Sequence, residues 1–122
     1  MARPRNFDES DVIDRAADAF GRLGYAACSV DDLVDATGLQ RGSLYKAFGS
    51  KRGLFEQVLR KALVGDWHHN PAALDLLITA LREMAGIDMP IAAICRTALA
   101  VYSGDAALLL GVRLLDHLPD KE

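Results

Sequence analysis

Apolar residues recur every three to four positions through most of the chain, which is the repeat of an α-helix that buries one side. The first such stretch follows Asp8, a residue type that favours helix N-termini, and its apolar positions are Val12, Ile13, Ala16, Ala17, Phe20 and Leu23. No segment shows the strict alternation of a half-buried strand. The pattern therefore predicts an all-α protein.

Turn and capping residues divide the chain into seven predicted helices. Ser29 begins a short second helix, with Asp32 three residues further on as in a capping box, and Gly38 ends it. A third helix is predicted from about Gln40 to Phe48, and Ser50 is expected to cap the fourth. The other helices are expected to begin at Asn70–Pro71, at Asp88 or Met89–Pro90, and at Asp105, and to end near Met84, Tyr102 and His117.

Two short helices joined by a glycine turn, packed under a longer first helix, have the geometry of helix-turn-helix DNA readers. We therefore assign residues 1–50 to a three-helix DNA-binding domain of this type, with Lys51–Leu63 as a connecting fourth helix. Residues 64–122 are assigned to a short helical region, which is a candidate for dimerisation and for ligand binding.

A helix that enters the major groove needs an outer surface that is small, polar and rich in hydrogen-bond donors. The third predicted helix offers such a surface, made of Gln40, Arg41, Gly42, Ser43 and Lys46. Gly42 is a poor helix former, which costs about 1 kcal/mol relative to alanine. Close approach of this backbone to DNA is a reason for glycine at that position.

Several spaced motifs support this interpretation. They are A-x-x-x-F-x-x-x-G-Y from Ala16, the Thr37-Gly38 turn, G-S-L-Y-x-x-F from Gly42 and G-S-K-x-x-L-F from Gly49. With them, the stretch from Phe7 to Leu63 resembles the DNA-binding domain of the tetracycline-repressor (TetR) family. The resemblance implies a sequence-specific transcriptional repressor that binds double-stranded DNA at a palindromic operator as a homodimer and is released by a small apolar effector.

The resemblance also implies roles for single residues. Tyr45 would bind a phosphate through its hydroxyl, although a half-buried core aromatic would also explain it. Arg3 and Arg5 would form an arm that reaches the DNA backbone or minor groove, or else a disordered tail. The residues that would contact the major groove are Gln40, Arg41, Gly42, Ser43 and Lys46. Ser29 and Lys51 would bind phosphates at helix N-termini.

Position 40 departs from the family pattern, because a small hydroxyl residue is common there and this chain has Gln40. Glutamine can pair with adenine through two hydrogen bonds, but it caps a helix less well than serine or threonine. We therefore expect a third helix with a weaker N-terminal cap.

The 122-residue chain has a formal net charge of −3, and this charge is unevenly distributed. Residues 1–61 hold ten Lys/Arg against nine Asp/Glu, whereas residues 62–122 hold four against eight. Because the basic residues cluster at 3–5, 41–52 and 60–61, one face of the first half can be basic in an acidic protein.

Other chemistry finds little support in the sequence. Cys28 and Cys95 belong to no metal or redox spacing, which favours two reduced core residues. Adjacent His68 and His69 diverge by about 100° on a helix and lack a third ligand, so a surface position is favoured over a metal site. We expect no enzyme, no cofactor, no metal, no signal peptide, no membrane span and a cytoplasmic location.

The last predicted helix is apolar most of the way round, which calls for burial on more than one side. We therefore expect helices six and seven to form a dimer interface, the alternative being completion of the core within one chain. The interface residues would be Leu108, Val112, Leu114, Leu115 and Leu118. An effector pocket or an equally compatible solid core would involve Leu59, Leu63, Trp67, Leu81, Met84, Ile94 and Tyr102.

A second function class stays open at this point. A chain with an acidic second half and an apolar last helix could instead be a protein-interaction module, which pairs with a longer regulator and does not itself bind DNA.

Overall fold

The computed structural model describes residues 7–120 and confirms the all-α prediction, since that part of the chain contains seven α-helices and no strand. The helices are α1 (Glu9–Leu23), α2 (Val30–Thr37), α3 (Arg41–Phe48), α4 (Lys51–Ala62), α5 (Pro71–Glu83), α6 (Met89–Val101) and α7 (Ala106–Leu115). A short 3₁₀ turn, Trp67–His69, precedes α5 and was not predicted.

Side-chain caps begin six of these helices where the sequence predicts them. In each case a side-chain oxygen accepts a hydrogen bond of 2.9–3.0 Å from a backbone N–H of the first turn, which satisfies a donor that the helix cannot. The caps are Asp8, Ser29, Ser50, Asn70, Asp88 and Asp105.

Three helices end slightly earlier than expected. The last helical residue is Glu83 in α5, Val101 in α6 and Leu115 in α7. Beyond α7 the His117 amide bonds to the Leu114 carbonyl at 3.2 Å, so the chain closes in a tighter turn with bonds between residues three apart.

The chain divides into two compact units, Met1–Val58 and Leu59–Glu122. The division falls inside α4, the helix that we expected to connect the two regions. In the first unit α1 packs on α2, and α2 packs on α3.

Three aromatic rings join α1, α4 and the segment between α1 and α2. Phe20 meets Phe55 edge-on at 5.0 Å between ring centroids, and Tyr25 stacks on Phe20 at 6.0 Å and meets Phe55 edge-on at 5.2 Å. Aromatic pairs favour offset and edge-on geometries of this kind. Around them the first unit buries Val12, Ala16, Ala19, Cys28, Leu33, Leu44, Phe48, Leu54 and Val58.

The packing around α3 requires glycine at two positions. Gly38 ends α2 in the left-handed conformation (φ +76°, ψ 1°), which a β-carbon disfavours, and its N–H bonds to the Val34 carbonyl at 2.9 Å. Gly53 lies under the end of α3, where a β-carbon would collide with the backbone carbonyl of Phe48. The sequence predicts the turn at Gly38 but not the requirement for glycine at position 53.

In the second unit α5 is the central helix, and α6, α7 and the 3₁₀ turn all pack against it. Trp67 is buried, with its ring 5.9 Å from that of Tyr102. The core of this unit consists of Leu59, Trp67, Ala73, Leu74, Leu76, Leu77, Ala80, Met84, Ile91, Cys95 and Ala98.

Helix α7 packs on α5, and an ion pair joins the two helices. None of its residues, 106–115, is buried. Arg113 donates two hydrogen bonds of 2.8 Å, from Nε and Nη2, to the two carboxylate oxygens of Asp75 on α5. His117 Nε2 lies 3.2 Å from Asp75 Oδ1.

Among the helices of residues 7–120, none is long and apolar enough on its own to cross a membrane. Helices α6 and α7 reach the required length and apolar composition only together, and they are bent by 108° relative to each other.

Candidate nucleic-acid interface

The outer face of α3 consists of Arg41, Gly42, Tyr45 and Lys46, all of them exposed. Leu44 and Phe48 lie on the opposite side and are buried, as the spacing of apolar residues along the helix predicts. Positions 42, 45 and 46 are neighbours on a helix surface, so the glycine lies between a tyrosine and a lysine. Tyr45 is 42% exposed.

Gln40 and Ser43 occupy the margins of this face. Gln40 is the exposed N-cap of α3, and its side chain makes no capping hydrogen bond, in agreement with the weaker cap expected from the sequence. Ser43 is half-buried. It lies on the same side of α3 as Ala47 and on a different side from Arg41. Base contact by either residue stays a prediction.

The start of α2 is held by a reciprocal capping box. The Asp32 amide donates to Ser29 Oγ at 3.0 Å, and the Ser29 amide donates to Asp32 Oδ2 at 2.9 Å. The bond from the Ser29 backbone lowers the pKa of the Asp32 carboxyl, so the carboxylate stays ionised and the box stays intact at neutral pH. Ser29 Oγ accepts one bond, and its own proton can still be donated to a phosphate.

Lys51, at the start of α4, is tied to the segment that precedes α2. Its ammonium donates to the carbonyls of Tyr25 at 2.9 Å and Cys28 at 3.0 Å, and it lies 4.3 Å from the centre of the Tyr25 ring. An ammonium has three donors, so a phosphate contact would use the third. Tyr45 and Lys51 border the same narrow crevice, together with Val30, Leu33, Leu44, Ser50 and Leu54.

The first residue of α3 makes a polar contact that the sequence did not predict. Arg41 Nη2 lies 2.6 Å from Oδ1 of Asp31 in the first turn of α2. Asp31 gave no separate signal, because an acidic residue is common in a first helical turn whatever its other partners.

Arg3 and Arg5, the proposed arm, lie outside the described residues.

The residues named for an effector site are dispersed within the second unit. Leu63 and Ile94 line one open groove, Tyr102 lines another, and Leu81 is exposed on α5. Leu59, Trp67 and Met84 are buried in the core.

The five apolar residues expected at a dimer interface are all exposed in the single chain. Their exposed fractions lie between 49% for Val112 and 69% for Leu118. They therefore do not complete a core within residues 7–120, which was the alternative considered from the sequence.

The class of fold follows from this geometry: α2, the Gly38 turn and α3, supported by α1, form a helix-turn-helix. Residues 12–58 match the family described as "Bacterial regulatory proteins, tetR family". This match covers the helix-turn-helix and lies within the stretch whose motifs resemble that family.

Three similar proteins show the extent of the likeness. An uncharacterised HTH-type transcriptional regulator of Bacillus subtilis, YezE, is 40% identical over 65 residues, which cover 53% of this chain and 34% of that protein. The Escherichia coli repressor ComR is 46% identical over 47% of this chain and 27% of its own length. The Rhodococcus jostii repressor KstR2 is 27% identical over 91% of this chain and 56% of its own length.

This chain thus spans between about a quarter and just over half of these three relatives. No solved structure gives a significant match to it.

Proposed function

We propose that this protein is a DNA-binding transcriptional regulator of the cytoplasm, a repressor that binds a palindromic operator as a homodimer. The observation that carries the proposal is the exposed face of α3, where Arg41, Tyr45 and Lys46 surround Gly42 behind the Gly38 turn. Recognition helices of this kind enter the major groove with donors facing the base edges. The relatives ComR and KstR2, both described as transcriptional repressors, support the sign of regulation.

The homodimer is supported by the apolar face of α7. Monomeric proteins seldom expose a contiguous patch of large apolar side chains, and such patches mark interaction surfaces. In a two-fold dimer the same face of each copy meets its equivalent, so Leu108, Val112, Leu114, Leu115 and Leu118 would cover one another. Two recognition helices about 34 Å apart would then read the two half-sites of the operator.

Release by a small apolar effector is part of the proposal that comes from the family resemblance. The groove along Leu63 and Ile94 is open to solvent and also contains Arg60, Pro90, Ala93, Thr97 and Ala98. A groove of this shape can hold part of an apolar molecule, whereas ligand sites usually bury most of it. Effector control therefore stays a prediction from the family resemblance.

Removing either cation from the outer face of α3 is expected to weaken DNA binding. With the DNA upstream of its own gene as probe, Lys46→Ala should reduce affinity for specific and unrelated sequences alike, and flatten the salt dependence by about one phosphate contact per protomer. Arg41→Ala should cost about 1–3 kcal/mol and act mainly on the specific sequence. Fluorescence anisotropy at several salt concentrations measures both effects.

Arg82→Ala is the matched control, because it removes the same charge from an exposed position of α5. It should leave the affinity and its salt dependence unchanged. Unchanged binding in both α3 variants would contradict the assigned face. If the wild type does not bind this DNA in preference to unrelated DNA, and a longer family member co-purifies with it, the protein-interaction module is favoured instead.

Gly42→Ala separates folding from DNA binding. A β-carbon at position 42 meets nothing within 4 Å, and alanine favours a helix over glycine by about 1 kcal/mol, so the variant should be more stable. If the α3 backbone lies against DNA, the added methyl group should nevertheless lower operator affinity. Thermal unfolding and anisotropy measure the two effects independently.

The control for that variant is Gly21→Ala in α1, where a β-carbon also has open space. It should raise stability and leave DNA affinity unchanged. Equal affinities of the wild type and Gly42→Ala would show that the glycine does not serve close approach.

A further inference from the structure

The ion pair between Asp31 and Arg41 places a carboxylate beside the side chain that the proposed function assigns to the major groove. It joins the first turn of α2 to the first residue of α3, ten residues apart in the chain. The Asp31 side chain is 82% exposed and that of Arg41 is 54% exposed. Both charges therefore lie on the solvent side of the helix-turn-helix.

Stability does not account well for this carboxylate. Exposed ion pairs contribute little to stability, since solvent screens them and both side chains lose freedom. The favourable position near the positive end of α2 is already occupied by Asp32, which also completes the capping box. Asp31 makes neither of those two bonds, so its bond to Arg41 is the distinctive feature of this position.

On a surface that approaches phosphates, an unneeded negative charge is a cost, because it repels the backbone in every sequence. The same carboxylate competes with phosphates for Arg41. A guanidinium has five donors in a fixed fork, and the contact to Asp31 uses one Nη, so other donors can still reach a base edge. A bond to Asp31 thus orients the fork and makes its use as a plain phosphate contact less favourable.

We propose that Asp31 is a positioning residue for sequence specificity, which holds Arg41 for base readout and weakens its binding to phosphates in unrelated DNA. The proposal rests on the DNA-binding function proposed above. It predicts that the carboxylate lowers non-specific affinity more than it lowers operator affinity.

The test compares the wild type with Asp31→Asn on two probes: a duplex selected by the wild type from a random-sequence pool, and a scrambled duplex of the same composition. In Asp31→Asn the affinity for the scrambled duplex should rise, and its salt dependence should steepen by about one phosphate contact per protomer. The ratio of the two affinities should fall about tenfold, within the range that one bidentate arginine–base contact supplies. Asp31→Glu keeps the carboxylate and should preserve most of the ratio.

Asp35→Asn is the matched control, because Asp35 lies one turn further along α2 and is also exposed. Removing the Asp35 charge should change both affinities by the same factor and leave their ratio unaltered. If Asp31→Asn behaves like Asp35→Asn, with an unchanged ratio, the inference about Asp31 is wrong. If the wild type itself selects no duplex and does not discriminate, the proposed function fails, and that result is distinguishable from the first.

Discussion

Replacing Leu115 by aspartate is expected to convert the protein to monomers and to weaken operator binding by about a hundredfold or more. Leu115 is 66% exposed in the single chain and lies among the other apolar residues of α7. In the proposed dimer it would be covered, and an aspartate there would bury an unpaired charge. Loss of the second recognition helix removes the gain of two linked contacts, which typically amounts to about 10²–10⁴ in affinity.

Val64→Asp is the control for this variant, since Val64 is 65% exposed and lies outside the helices. It should leave both the mass in solution and the operator affinity unchanged. Sedimentation velocity at micromolar concentration measures the mass, and anisotropy measures the affinity. A wild type that sediments as a monomer, or a Leu115→Asp variant that remains a dimer, would remove α7 as the interface.

The helices were predictable because their signals are local. Cap residues such as Ser29 and Asn70 act on the amides of the next turn, and apolar spacing within one helix determines which side is buried. The same locality made the glycine turn at Gly38 recognisable. The sequence also predicted Arg41, Gly42 and Lys46 on the outside of α3, where the structure exposes them, whereas it left a half-buried position open for Tyr45 and placed the half-buried Ser43 outside.

Contacts between distant residues were not predictable from one sequence. Asp75 and Arg113 are 38 residues apart, and Lys51 is 26 residues from the Tyr25 carbonyl that it binds. No periodicity relates such positions, because their meeting depends on how separate elements pack. The requirement for glycine at position 53 has the same origin, as it arises from the backbone of Phe48.

The effector residues illustrate a different limit. Helical spacing identifies apolar positions but does not distinguish a wall of a pocket from a solid core. Trp67 and Met84 lie in the core of the second unit, whereas Leu63 and Ile94 border an open groove. Resemblance to a family supplied the idea of a ligand, and packing within this chain determines which residues could meet one.

The ion pair between Asp75 and Arg113 provides the second strong prediction. Removal of the carboxylate in Asp75→Ala is expected to destabilise the protein by about 2 kcal/mol, because the partly buried guanidinium loses two charge-assisted hydrogen bonds. The same bonds raise the pKa of Arg113 in the wild type. Without them the arginine still stays charged at neutral pH, because a guanidinium does not lose its proton there, so it cannot relieve the loss by deprotonation. Urea unfolding measures the change in the free energy of unfolding.

The double variant Asp75→Leu with Arg113→Met distinguishes two causes of instability. One is the loss of the hydrogen bonds between Asp75 and Arg113, and the other is a partly buried Arg113 charge without a partner. Replacing both members of a partly buried pair by apolar residues is often neutral or stabilising, so the double variant should be more stable than Asp75→Ala. Arg82→Ala, at an exposed arginine of α5, serves as the control and should change little. Equal losses in the single and double variants would show that the stranded charge is not the cause.

The location of the effect is as informative as its size. Since none of the residues of α7 is buried, its attachment to α5 should depend strongly on this pair. Amide hydrogen exchange should therefore accelerate in α7 of Asp75→Ala before it accelerates in the buried turns of α5. Uniform acceleration across both helices would instead mean that the pair stabilises the whole unit. A selective loss would connect Asp75 to operator binding, because a loosened α7 could no longer present Leu108 and Leu115 to a second copy.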